Sequence, residues 1–235
     1  MRFVLIHSPL TGPQAWTRVA VELAARGFEA TRPVLPPLPA LTAPLYQNLA
    51  AVVAPQYLGQ EGPFVLVVHS GAGGLAPSLV AASGGQVAAV LYVDAIPPHP
   101  GRSWYETASD ALAASLRAKT DKAGMVPAWD QWFPPDALGS LIPDEPQRTL
   151  FLNGLSPTPA AWLEAKAPEL DLPDTVGWGF LRLSKAYERE AGEARRLGWP
   201  TLRTDLHHLA MMTHPTQVVT AMLNLTRMLG LRAAA

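Results

Sequence analysis

Three short apolar runs stand out along the chain because they do not alternate: Phe3 to Ile6, Phe64 to Val68 and Val87 to Val93. Runs of Val, Leu and Ile with no polar face are what strands buried on both sides of a parallel sheet require. Between them the period changes to that of a helix. Trp16, Val19, Ala20, Leu23 and Ala24 share one face, and Gly27 follows as a C-terminal cap. Glu29 to Val34 is a weaker strand that runs into the proline-rich "VLPPLPALTAP". A helix is predicted over Leu45 to Leu58, and another from Gly71, directly after the strand that ends at Val68. Strands alternating with helices predict right-handed crossovers and a mainly parallel sheet, the α/β class.

From Pro97 to about Pro173 the rhythm breaks into short helical pieces separated by proline, with Trp104, Trp129, Trp132, Phe133 and Trp162 among them. The segment is too long for an ordinary connection and reads as an inserted lid, or as a helical extension of the core. The βα rhythm then resumes. "VGWGFLRLS" is a strand, Ala186 to Gly198 a helix and "PTLRTD" a strand, while Val218, Met222, Leu225 and Leu229 mark one face of a closing helix. No stretch reads as a linker, so the 235 residues form one domain, with a core of residues 1–96 and 174–235 and an insertion at about 97–173.

Composition narrows the function classes. With 49% hydrophobic and 16% charged residues the chain has the makeup of a globular protein. Its net charge is −1 and its densest basic cluster is the Arg195-Arg196 pair, which argues against nucleic acid or an anionic membrane as partner. There is no cysteine, hence no disulfide and no thiolate metal site. The apolar run in "MRFVLIHSP" is too short for a signal-peptide core or a membrane span, so a cytoplasmic location is expected. Proline, at 24 residues, is about twice the usual ~5% and falls mostly in loops and the central segment.

Chemistry concentrates in "FVLVVHSGAGG". A buried strand feeds into Ser70 and then a glycine-rich helix start, the context in which a serine is held on a strained elbow above a sheet edge. Val68 and Ala72 replace the outer glycines of the strict G-x-S-x-G pattern, while Gly71, Gly73 and Gly74 keep the far side small. Ser70 would also serve as a plain helix N-cap. A base favours the nucleophile reading: in "TDLHHLAMMTHPTQV", His207 and His208 lie between the last strand and the closing helix, in the loop from which an imidazole reaches such a serine.

On "VLIHSPLTGPQAW", "VHSGAG", "LYVDAIPP" and "HHLAMMTHP", the chain resembles α/β-hydrolase fold proteins over nearly its whole length, without the two N-terminal antiparallel strands that many members carry. It is similar to the small lidded esterase, thioesterase and hydroxynitrile-lyase group. In that family the histidine usually stands seven residues before the proline that opens the last helix. Pro215 therefore points to His208, with His207 where the family often has glycine and His214 a surface residue.

The resemblance implies a carboxylate after the penultimate strand, but the residues there are Ser184, Lys185, Ala186 and Tyr187, with none before Glu188. Ser184 makes a good N-cap, which sets Glu188 a turn inside the helix. The other position used in the family is the end of the strand before the lid, where Asp94 stands. Asp94 is preferred to Glu188, although an aspartate there also suits a loop start. For the oxyanion, Gly71 supplies one backbone N–H. Matching His7-Ser8 to the family's His-Gly puts Pro9, which has no N–H, at the second donor position, so that either Leu10 donates or one donor is missing.

The function expected from this reading is a serine hydrolase for an ester or thioester of a mainly apolar small molecule, with no metal or organic cofactor. A lyase, cyclase or rearrangement catalyst of the same fold is the alternative, followed by a ligand-binding relative. A homodimer is left open.

Overall fold

Why the apolar runs do not alternate is plain from the sheet they build. The computed structural model describes residues 1–59 and 62–231. Six strands, β1 (Arg2–Ile6), β2 (Glu29–Thr31), β3 (Phe64–Ser70), β4 (Val87–Ala95), β7 (Gly177–Arg182) and β8 (Thr201–Arg203), form one sheet in the order β2-β1-β3-β4-β7-β8. Every pairing in it is parallel. All residues of β1 and β3 are buried, as strands covered on both faces must be.

Helices α1 (Thr17–Ala25), α2 (Leu45–Val53), α3 (Ala76–Ala82), α8 (Glu188–Arg196) and α10 (Pro215–Met228) cover the sheet, α1 packing with α10 and α2 with α3. The β1-α1-β2 unit moves along the sheet in one direction and β3-α3-β4 in the other. With right-handed crossovers this puts α1 and α3 on opposite faces and makes the β1/β3 boundary the switch point of the sheet. The turns leaving β1 and β3 therefore meet at the strand ends where α/β sheets open a crevice.

Three of the boundaries that differ from the sequence expectation have a plain physical cause. β2 stops at Thr31, ahead of Pro33 and the prolines that follow it, which cannot donate to a ladder. The segment after Ser70 first makes a tight 3₁₀ turn over Gly71–Leu75, and α3 begins only at Ala76. The helix expected to reach Leu58 is α-helical to Val53 and 3₁₀ over Ala54–Gln56, where Pro55 lacks the N–H to continue it. At Gly27 the expected cap holds: its φ is +80°, and the Phe28 N–H reaches back to the Leu23 carbonyl at 3.0 Å.

Residues 97–173 carry α4 (Asp110–Lys119), the short antiparallel pair β5 (Met125–Val126) and β6 (Thr158–Pro159), and the helices α5 (Ala137–Leu141), α6 (Glu145–Leu152) and α7 (Ala160–Glu164). Ser109 and Asp144 cap α4 and α6 by accepting from the backbone N–H of Leu112 and Gln147. Gln147 donates to the Met212 carbonyl at 2.8 Å, and Gln14 donates to that of Phe151 at 3.2 Å. This segment between β4 and β7 is thus tied to both the first turn and α9 (Ala210–Thr213). Among the described residues, no helix is long and apolar enough to cross a membrane.

Candidate active site

Ser70 is the last residue of β3, with φ 55° and ψ −125°. The other non-glycine residue with positive φ among those described is Asp94, at 40°. Each such residue costs about 1–3 kcal/mol of backbone strain, so the concentration of both at one sheet edge singles that edge out. The elbow is possible because its far side is bare. A Cβ on Gly73 would lie 2.0 Å from the Ile96 carbonyl oxygen, and one on Gly74 2.4 Å from the His99 ring. The backbone leaving β4 thus packs directly on the turn that holds the serine. The N-cap alternative for Ser70 is not what is seen: its side chain makes no capping hydrogen bond.

Asp94 lies near the end of β4 and is fully buried. Its Oδ1 accepts from the Leu183 N–H at 2.5 Å, and its Oδ2 from the Ser184 hydroxyl at 2.6 Å and the His208 Nδ1–H at 3.2 Å. The Ser184 N–H, at 3.1 Å from both oxygens, adds a shared donor. A carboxylate on Nδ1 fixes the proton there and leaves Nε2 as the free base of the imidazole. Ser184, which the sequence suggested as a helix N-cap, makes no capping bond. It occupies the position after the penultimate strand where the family resemblance implies a carboxylate, and its hydroxyl instead holds the carboxylate of the neighbouring strand.

Glu188 is placed elsewhere. Its side chain is half exposed and engages Arg203 at 2.8 Å and Arg182 at 3.1 Å. The hydrogen bond from Arg203, before the nearby positive charges, holds its carboxyl below the usual range. The first residue of α8 is therefore spent on two arginines, with Asp94 the acid hydrogen-bonded to His208.

In the turn after β1, His7 donates through Nδ1 to the Ser8 carbonyl at 2.8 Å and accepts at Nε2 from the Leu35 N–H at 3.2 Å. Burial lowers its pKa to about 4, so it is a neutral brace between two loops. Both its ring nitrogens are spent on backbone groups, so His7 braces the first turn. Leu10, the alternative second donor, gives its N–H to the Ser8 hydroxyl at 3.2 Å. Pro9 has none to give.

The imidazole of His208 is held on several sides. His69 donates through Nε2 to the His208 carbonyl at 3.0 Å, and their rings lie 4.4 Å apart. Burial, and then the neighbouring His208, push the His69 pKa well below its usual value. The Tyr187 ring stacks on His208 at 4.9 Å with only 4° between the planes, and its hydroxyl lies 3.4 Å from Ser70 Oγ. Among the described residues, Tyr187 is the hydrogen-bond partner of Ser70 Oγ. Burial raises its pKa, so the phenol stays protonated at neutral pH. Sequence reading missed Tyr187, which stands three residues past Ser184 on a single 3₁₀ turn, Lys185–Tyr187. The available signal is an aromatic in the same short stretch, Ser184 to Tyr187, in which the resemblance implies an acid.

Of the other histidines, His207 bonds Thr213 Oγ1 at 2.8 Å and His214 is exposed beside it. Ser70, Tyr187 and His208 line a cavity of about 370 Å³ whose remaining wall is mainly apolar, with Trp104, Trp129 and Trp132 contributed by the inserted segment. Arg189 and Glu190, paired at 2.6 Å, are the charged residues at its edge.

Neither a protein-family model nor a curated protein sequence matches the chain. Solved structures do. An extracellular alpha/beta-hydrolase from a Paenibacillus species, described as sharing structural and functional homology with tobacco salicylic acid binding protein 2, is 20% identical with a TM-score of 0.76, over 95% of this chain and 98% of that one. A pyrethroid hydrolase from Sphingobium faniae is 15% identical with a TM-score of 0.74, over 97% of each chain. Tomato methylketone synthase I is 14% identical with a TM-score of 0.68, over 97% and 98%. The likeness runs along almost the whole of each partner and agrees with the strand order and parallel pairing found here: the chain has the α/β-hydrolase fold.

Proposed function

We propose that the protein is a serine hydrolase acting on an ester or thioester of a mainly apolar small molecule. The observation that carries this reading is the Asp94-His208 hydrogen bond beside the strained Ser70 elbow, with serine and imidazole on the wall of one cavity. In the proposed reaction Ser70 Oγ bonds to the acyl carbon, its proton passes to His208 Nε2, and the carbonyl π pair moves onto oxygen. Collapse of that intermediate expels the alkoxide or thiolate, which takes the proton from His208. Water, deprotonated in turn by His208, then cleaves the acyl-serine and restores the enzyme. Asp94 keeps the imidazole in the required tautomer and stabilises its protonated form. The aromatic wall and the cavity volume, within the ~300–1,000 Å³ usual for small-molecule sites, support an apolar acyl or alcohol part.

A non-hydrolytic reaction on the same scaffold is favoured by one feature, the first turn. Neither expected position there offers a free backbone donor, because Pro9 lacks an N–H and that of Leu10 is occupied by Ser8. In such a reaction Ser70 and His208 would move protons without forming an acyl-enzyme.

An alkyl fluorophosphonate followed by mass spectrometry separates the two. The hydrolase reading expects an adduct on Ser70 that His208→Ala abolishes. Folded wild-type protein that takes up no probe at Ser70 would sink the acyl-enzyme mechanism.

A further inference from the structure

We infer that the indole N–H of Trp104, on the inserted segment, is the second oxyanion donor of this site and replaces the backbone donor that the first turn lacks. The inference rests on the hydrolase reading above. It follows from what surrounds Gly71, whose own N–H is the first donor. From the point at which a side chain on Gly71 would begin, Ser8 Oγ lies 3.3 Å away, and Pro9 Cδ and Trp104 Nε1 each 3.9 Å. Pro9 has no N–H. The Leu10 N–H is held by Ser8 Oγ, and Ser8 is fully buried, so its hydroxyl does not face the cavity. The Tyr187 hydroxyl lies on Ser70 Oγ itself, the attacking atom, beside the imidazole.

Trp104 is different. It lines the cavity with Ser70, and its Nε1–H has no acceptor among the described residues. The neighbouring Trp132, by contrast, donates to the Pro127 carbonyl at 2.8 Å. An indole N–H is a donor only, and this one, open to the cavity beside the nucleophile, is set for an acceptor that arrives with the substrate.

The ring is also held still. It packs edge-on against Trp132 at 5.6 Å and Tyr105 at 5.8 Å, and its backbone carbonyl accepts from the Thr107 hydroxyl at 2.7 Å. A fixed donor in an apolar cavity needs no reorganisation as charge develops, which is the condition for strong oxyanion stabilisation. Any side chain on Gly71 would begin on the ground between Ser8 and this indole, which gives the glycine after the nucleophile a second reason.

The test uses 4-nitrophenyl hexanoate as ester and an alkyl trifluoromethyl ketone, which Ser70 would convert to a hemiketal oxyanion. Trp104→Phe keeps an aromatic ring and removes the N–H. It is expected to lower kcat by roughly 10²-fold with KM changed less than about threefold, and to weaken the ketone by a similar factor. A readout on wild-type protein does not depend on the variant folding. With ¹⁵N-labelled tryptophan, the Trp104 Nε1–H resonance should move downfield when the ketone binds. Wild-type kcat and ketone affinity in Trp104→Phe, or a Trp104 resonance that does not move on ketone binding, overturns the assignment while leaving the hydrolase reading standing. Wild-type protein that neither hydrolyses the ester nor takes fluorophosphonate overturns both.

Discussion

Asp94 accepts from the Leu183 and Ser184 N–H groups, the Ser184 hydroxyl and His208, and these donors make it both an orienting residue and a structural one. Asp94→Asn would present an amide N–H₂ to groups that already donate. Turnover of 4-nitrophenyl hexanoate is expected to fall about 10⁴-fold, the scale of tautomer loss in other serine triads, and stability by about 3 kcal/mol. Glu188→Gln, which removes a half-exposed carboxylate from Arg182 and Arg203 and touches neither Ser70 nor His208, should leave turnover within about threefold. Equal losses from the two variants would reverse the choice between the acids. At this scale the sequence revealed the residues whose chemistry is unusual for their position: a serine and a histidine at strand ends, and an aspartate closing an apolar run. Ser184 and Tyr187 were illegible because their parts depend on what lies across the sheet edge. A serine before a helix reads as a cap until a carboxylate on the next strand is known to stand opposite.

At the scale of elements, the elbow is shaped by contact between two turns. Gly73→Ala would drive its methyl into the Ile96 carbonyl, a backbone atom that cannot rotate away. We expect a loss of about 3 kcal/mol or more in urea unfolding. Gly192, inside α8 with open space around its Cα, provides the opposite case. Gly192→Ala should stabilise by about 0.5–1 kcal/mol through backbone entropy alone. Both glycines look alike in the sequence, and only the packing around each sets the sign. Element type was legible wherever an apolar run or a helical face was long enough. Boundaries shifted where proline or glycine intervened, at β2, at the end of α2 and after Ser70. The short pieces of residues 97–173 defied detailed reading because tertiary contacts, such as those of Gln147 and Gln14, hold them in place.

For the whole molecule, buried neutral histidines set the response to acid. His7 has a folded pKa of about 4 against 6.5 for an ordinary histidine. Between those values the unfolded chain binds a proton that the folded one refuses, so stability rises with pH there and is lost as pH falls from about 6.5 toward 4. The difference amounts to about 3 kcal/mol for His7, and His69, also held well below the usual value by burial, adds loss in the same direction. Urea midpoints measured from pH 7 to pH 4 should fall accordingly, and less steeply in His7→Gln. A flat profile in wild-type protein would contradict the burial of these rings. The clamp around Asp94 has a consequence at this scale as well. Chain leaves the sheet just after Asp94, and the exit of β7 supplies Leu183 and Ser184, so one carboxylate ties the point where residues 97–173 depart to the strand end beside it. Change at Ser70 or His208 leaves the architecture intact, whereas losing Asp94 would loosen the joint between β4 and β7 and the hold on His208 together. In a lineage built on this plan, the acid is the member of the site that selection should surrender last.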